Sequence, residues 1–142
     1  MIQKDYILRM LEILVEMIAS ILNYIKKGEF EKATVALENT YQTLLKEDST
    51  FFKNIPIEKL TDELIQEHNY TNGHLEILSE LFYAEAELLF ARGNNIESLV
   101  LYIKSSILFE FLEKETKIFS AVRQAKKKSI YKRIAQIQGN KG

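Results

Sequence analysis

Apolar residues recur at intervals of three and four along nearly the whole chain. In the first segment, about Ile2 to Lys27, the residues Ile7, Met10, Leu11, Leu14, Ile18, Ile21, Leu22 and Ile25 keep this spacing and predict one long helix. Tyr6, Ile13, Met17 and Tyr24 widen its apolar face, so it should pack on more than one neighbour. Gly28 marks its end: glycine tolerates left-handed backbone, and Lys26 and Lys27 suit the negative end of the helix dipole. A second helix, about Glu29 to Lys46, turns Phe30, Ala33, Leu37, Thr40, Tyr41 and Leu44 inward, and the short turn makes the two helices antiparallel neighbours.

Pro56 suits the first turn of a short third helix, about Pro56 to Gln66, with Ile57, Leu60, Leu64 and Ile65 inward. "HNYTNG" (His68 to Gly73) reads as a loop. A fourth helix, about His74 to Ala91, runs through Leu75, Leu78, Leu81, Phe82, Glu85 and Leu89, and Gly93 closes it. Asn94 with Glu97 three residues on is a variant of the capping box. A fifth helix, about Asn95 to Lys114, carries Leu99, Tyr102, Ile103, Ser106 and Phe109. The last, about Ile118 to Ile137, carries Phe119, Val122, Ile130, Ile134 and Ile137. "EKETK" between them holds neither glycine nor proline, so their separation is open; Thr116 or Ser120 could cap a new start. No strand-type alternation occurs. The pattern predicts one all-α domain of five to six helices over residues 1–138, with residues 139–142 as a fraying tail.

Composition narrows the chemistry. Of 142 residues 46% are hydrophobic and 27% charged, so most of the chain can fold around a core. One proline and five glycines are little punctuation, which favours long helices. The absence of cysteine excludes disulfides and thiolate chemistry. Lys4, Asp5 and Arg9 interrupt the first apolar run, so it does not read as a signal peptide. No apolar run reaches the length of a membrane span, and the cytoplasm is the expected location. The net charge of −1 hides an asymmetry. Residues 1–116 hold 11 basic and 20 acidic side chains, a net of −9, whereas residues 117–142 hold 8 basic and no acidic ones.

Two phrases resemble one another: "KKGEFEKATVAL" (Lys26 to Leu37) and "FARGNNIESLVLY" (Phe90 to Tyr102). Both resemble the turn of a tetratricopeptide-type helical hairpin. Gly28, Glu29, Phe30 and Ala33 match its glycine, acid, aromatic and small residue, with Tyr24 in the preceding helix. Gly93, Asn94, Tyr102 and Ser105 fit in the second copy, which departs at Asn95 and Ser98. The glycines lie 65 residues apart, so no consecutive tandem pair is present. "MIQKDYILRMLE" and "KSSILFEFLEKE" also resemble an uncharacterised family of small bacterial proteins with tetratricopeptide-like helices. The resemblance implies antiparallel hairpins in a short right-handed superhelix; it implies no activity.

Candidate chemistry is sparse. His68, His74, Glu67 and Glu76 lie close in sequence but match no metal motif and straddle a loop, so a solvated cap is favoured. Glu80, Glu85 and Glu87 share one helix; Glu85 falls near the apolar stripe, where a buried acid needs a partner such as Arg92, Arg9 or a tyrosine hydroxyl. No phosphate loop, dinucleotide fingerprint or nucleophile elbow occurs. No catalytic, cofactor or metal residue is assigned, and no enzyme is expected. Phe51 and Phe52 are adjacent aromatics in a loop: core packing is the favoured reading, or one should plug the groove between hairpins while the other could meet a partner, with Glu85 a further contact. The basic stretch "RQAKKKSIYKR" offers Arg123, Lys126, Lys127, Lys128, Lys132 and Arg133 to an anion, with Tyr131 able to stack on a base. The favoured reading is instead a terminal helix whose cations face the acidic remainder. The expected function is a scaffold that binds a partner peptide or helix in a groove between hairpins. A nucleic-acid or anion-binding accessory role through the last helix is the alternative, and apolar solenoid ends would allow a homodimer.

Overall fold

Helices form where the apolar spacing predicts them, and every regular element among the described residues is helical. The computed structural model describes residues 2–117 and 119–139, with side chains from Asp5 onward. Seven α helices lie in this range: α1 (Ile2–Lys26), α2 (Phe30–Leu45), α3 (Ser49–Lys53), α4 (Leu60–Asp62), α5 (Asn72–Ala91), α6 (Asn95–Thr116) and α7 (Ala121–Gly139). A 3-10 turn (Ile57–Lys59) precedes α4 and a π-helical turn (Glu63–Glu67) follows it. Of the expected tail, Gly139 ends α7, and residues 140–142 lie outside the described residues, as does Ile118.

The boundaries follow local chemistry. Gly28 (φ 76°) and Gly93 (φ 85°) both adopt left-handed backbone. After each, the next N–H reaches back five residues, Glu29 to the Tyr24 carbonyl and Asn94 to that of Leu89, closing the helix end. Two further helices end on lysine in the same conformation: Lys46 (φ 62°) stops α2 and Lys117 (φ 55°) stops α6. The fifth and sixth expected helices are therefore separate, and Ser120 caps the second by accepting from the Arg123 N–H at 3.2 Å.

Four local expectations change. The Phe51–Phe52 region is not a loop, because the Asp48 side chain accepts the Phe51 N–H at 2.9 Å and starts α3. The helix expected over Pro56–Gln66 is split into 3-10, α and π turns, with Pro56 extended ahead of the first. α5 begins earlier than expected, at Asn72: Thr71 Oγ1 accepts the His74 N–H and His74 Nδ1 accepts the Thr71 N–H. The cap expected from Asn94 makes no side-chain hydrogen bond.

Specific pairs fix helix directions. Ser98 Oγ donates to the Ala86 carbonyl at 2.9 Å and Ser105 Oγ to that of Ser79 at 2.7 Å, so α6 runs antiparallel to α5. Both serines are fully buried, and their small size lets these helices approach. Tyr41 meets Glu85 while Arg92 meets Glu31 and Thr34, so α2 is also antiparallel to α5. α7 pairs with α5 in ascending order, Arg123 with Glu76, Lys126 with Glu80 and Arg133 with Glu87, so these two run parallel. α1 packs on both α2 and α5, and the tight Gly28 turn reverses it relative to α2. The inner layer is thus α1, α5 and α7, running together, with α2 and α6 behind them.

α5 is the centre of the core. Leu75, Ile77, Leu78, Leu81, Phe82, Ala84, Ala86 and Leu88 are all buried, while Glu76, Tyr83, Glu87 and Phe90 on the remaining face are half-buried. Ala33, fully buried in α2, Tyr41, Phe52, Tyr102 and Phe109 complete the packing.

A valine at Gly93 would carry a β-branched side chain into left-handed backbone. Gly93→Val should destabilise the fold by about 1–2 kcal/mol through backbone strain alone, since a Cβ there meets no other atom within 4 Å. A urea midpoint equal to that of the parent would show that the turn does not depend on this conformation.

Candidate functional site

α7 divides its charged side chains between two neighbouring helices. Arg123, Ile130 and Ile137, spaced by seven, form its buried seam. On one side of that seam its cations meet carboxylates of α5: Lys126 Nζ donates to Glu80 Oε1 at 2.6 Å, and Arg133 Nη2 lies 3.3 Å from Glu87 Oε1. On the other side Lys127 Nζ lies 3.1 Å from Glu113 Oε2 in α6, and Tyr131 donates to Glu110. Aromatic rings support the same side chains: Lys126 Nζ sits 4.7 Å above the Tyr83 ring centre and the Arg133 guanidinium 4.1 Å above Phe90. Tyr102 donates to Glu87 and accepts from Arg133 Nε at 3.3 Å. Burial first, and then the Glu87 carboxylate, hold its phenol far above the ordinary tyrosine range.

Of the six cations that could form an anion site, four are thus engaged with carboxylates: Arg123, Lys126, Lys127 and Arg133. Lys128 and Lys132 lie exposed on the outer side of α7. Two apolar residues expected at the seam, Phe119 and Val122, are instead 77% and 64% exposed. The seven-residue spacing set by Ile130 and Ile137 places Arg123, not Val122, against α5.

The residues singled out for partner contact turn inward. Phe52 is fully buried and stacks on Tyr41 with ring centres 5.8 Å apart, while Phe51 is half-buried between Phe52 and His68. Glu85 is 5% exposed; it accepts from Tyr41 at 2.8 Å and from Lys53 at 2.9 Å. The tyrosine hydroxyl expected as its partner is present, and the cation is Lys53, not Arg92 or Arg9. Phe52 and Glu85 therefore present no surface to a partner, because α3 folds over the α2–α5 interface. The sequence pattern also missed Lys104, 2% exposed, whose ammonium donates to the Lys53 carbonyl at 2.8 Å. Burial, followed by the Lys53 charge, lowers its pKa. His74 is used in the α5 cap and His68 lies 3.8 Å from Glu63; among the described residues no group of three or more metal-binding side chains is gathered.

What the inner layer leaves open is a groove of about 460 Å³. One wall is α1, through Leu11, Leu14, Val15, Ile18, Ala19 and Leu22; the other is Ser120, Val122 and Lys126; Glu76 and Glu80 line it from α5. Val15, 68% exposed, and Val122 place apolar surface in solvent on opposite walls. The groove has no catalytic constellation: Glu80 is bound to Lys126, and no histidine or other nucleophile–base pair faces it. No helix of the described residues is long and apolar enough to cross a membrane. No known family matches the chain, and no match is found among curated proteins or solved structures.

Two predictions concern α7 and the tyrosines. Lys126→Gln and Lys127→Gln should each destabilise by about 1–2 kcal/mol, because each leaves a half-buried carboxylate without its cation. Lys128→Gln, on the exposed side, should change stability by less than about 0.5 kcal/mol. Equal losses for all three in urea titrations would mean that general charge balance, not these pairs, seats the helix. Burial also pushes Tyr70 and Tyr131 up to about 12, aided by Glu47 and by Glu110 respectively. An unfolded tyrosine ionises near 10, so between these values the folded chain holds more protons than the unfolded one. Stability should fall as pH rises through this window, with tyrosinate absorbance appearing at the unfolding transition; ionisation of every tyrosine near pH 10 in the folded protein would contradict it.

Proposed function

We propose that the chain is a non-enzymatic interaction module of the tetratricopeptide-like class, binding a partner peptide or helix in the groove between α1 and α7. The observation that carries the reading is the groove itself, with exposed Val15 and Val122 on its walls. Apolar side chains held in solvent on both sides of a cleft are stabilised when a partner covers them. The hairpin arrangement rests on the left-handed glycine turns at Gly28 and Gly93, the buried small residues Ala33, Ser98 and Ser105, and an inner layer of parallel helices backed by α2 and α6. This combination supports the resemblance to helical-repeat hairpins and to small bacterial proteins of that kind; a third hairpin partner for α7 is not needed.

The nucleic-acid alternative draws less support. An anion site on α7 would have to recruit cations that already hold Glu76, Glu80, Glu87 and Glu113, leaving Lys128 and Lys132 for phosphate.

Tagged protein from its native host, compared with the Val15→Asp variant, tests the groove. Val15 is exposed, so the variant should keep its helicity and melting temperature while losing the co-purifying partner. A partner retained equally by the folded variant would move the binding surface elsewhere, and nuclease-sensitive nucleic acid in its place would favour the alternative.

A further inference from the structure

The groove is built for a helix. Along α1, Leu8, Leu11, Val15, Ile18, Leu22 and Ile25 repeat at alternating steps of three and four, the seven-residue pattern of a coiled-coil seam. This stripe flanks the core stripe through Met10, Leu14 and Ile21 and shares the buried Ile18 with it, while its outer members, Leu8 and Val15, are 51% and 68% exposed. The groove-lining part, Leu11 to Leu22, is about 16 Å long at 1.5 Å per residue, or three turns of a facing helix.

The polar end of the groove is incomplete. Glu80 and Glu76 lie one turn apart on α5, yet only Glu80 is closed by a hydrogen-bonded cation, Lys126 at 2.6 Å. Glu76 Oε2 has Arg123 Nε at 3.6 Å, and neither Glu76 oxygen accepts a hydrogen bond among the described residues. Arg123 is 7% exposed, and its Nε and Nη1 have no hydrogen-bond partner. The pair therefore compensates charge without satisfying the groups. Glu76 remains 30% exposed and lines the groove. Burial, with the Glu80 charge adding to it, outweighs the Arg123 charge and shifts the Glu76 pKa upward. Beside the apolar stripe, helical spacing sets exposed Asp5, Glu12 and Glu16 along the outer edge of α1, with Arg9 among them.

We propose that the groove takes an amphipathic partner helix whose apolar stripe packs along α1 and whose polar flank is basic, with one lysine or arginine closing on Glu76. The proposal rests on the groove reading above and names its occupant. A second copy fits less well, because pairing α1 with its equivalent would bring the two acidic edges together.

Two labelled synthetic helices of about five turns test the proposal. Both carry leucine at the seam positions; one has lysine at the flanking positions and its twin has glutamate. Fluorescence anisotropy against the full chain should show the lysine helix binding more tightly. Glu76→Gln should weaken it about tenfold and leave the glutamate twin unaffected. Glu97→Gln, an exposed acid on α6 away from the groove, should change neither. Val15→Asp should abolish binding of both. Equal binding of the twins, or a lysine helix indifferent to Glu76→Gln in a variant that melts like the parent, overturns the proposal. If Val15→Asp still abolishes both, the groove reading survives that result. Failure of both helices to bind also overturns it, leaving the groove to the co-purification test. Sedimentation showing a dimer that Val15→Asp dissociates would give the groove to a second copy and likewise overturn it.

Discussion

Helix α5 packs against α1, α2 and α6 and yet carries four carboxylates, Glu76, Glu80, Glu85 and Glu87. Carboxylates placed there without cations would cost several kcal/mol each. The structure distributes the compensation by depth. Glu85, the most buried, is held from behind by Tyr41 and Lys53, with α3 closing over it. The other three face α7, a parallel helix whose Arg123, Lys126 and Arg133 meet them in the same order. The division of charge between an acidic body and a basic last segment is the consequence: α7 holds the cations that α5 needs.

This arrangement explains which parts of the fold could be read from the sequence. The long helices α1, α2 and α5 were legible because burial repeats with the helical period, and Gly28 and Gly93 because left-handed backbone favours glycine. Lys46 and Lys117 end helices in the same conformation without the residue type that signals it. Phe119 and Val122 misled for a related reason. Periodicity counts them as core, but Arg123 occupies the seam position that apolarity would assign to a neighbour, since its guanidinium is wanted near Glu76. A buried arginine is invisible to a hydrophobic pattern. The partners of Glu85 were half legible: a tyrosine hydroxyl was foreseeable, whereas Lys53 depended on a capped turn at Asp48 that brought α3 over the interface.

The candidate site was less legible still, because it is a space between elements. Phe51, Phe52 and Glu85 stand out in the sequence for being unusual where they fall, and two of them, Phe52 and Glu85, are unusual because they are interior. The residues that line the groove are ordinary: Leu11, Val15 and Leu22 look like any helical apolar positions until their exposure is known. The signal was present as an excess. α1 has more apolar residues than one contact face needs, and the surplus repeats every seven residues.

The same ion pairs also set the width of the groove. α7 is drawn to α6 through Lys127 and Glu113 and to α5 through Lys126 and Arg133. Among the described residues no ion pair joins α7 to α1; the stripe on α1 keeps its exposed members and Val122 is 64% exposed on the opposite wall. Glu76 sits where this geometry is least complete: Arg123 serves it from the seam at 3.6 Å, too far for a hydrogen bond, because the guanidinium is packed beneath α7. A cation arriving from the groove side approaches the carboxylate from its exposed face and need not displace Arg123. The electrostatic design that neutralises α5 therefore leaves one carboxylate under-coordinated, next to the apolar wall left uncovered.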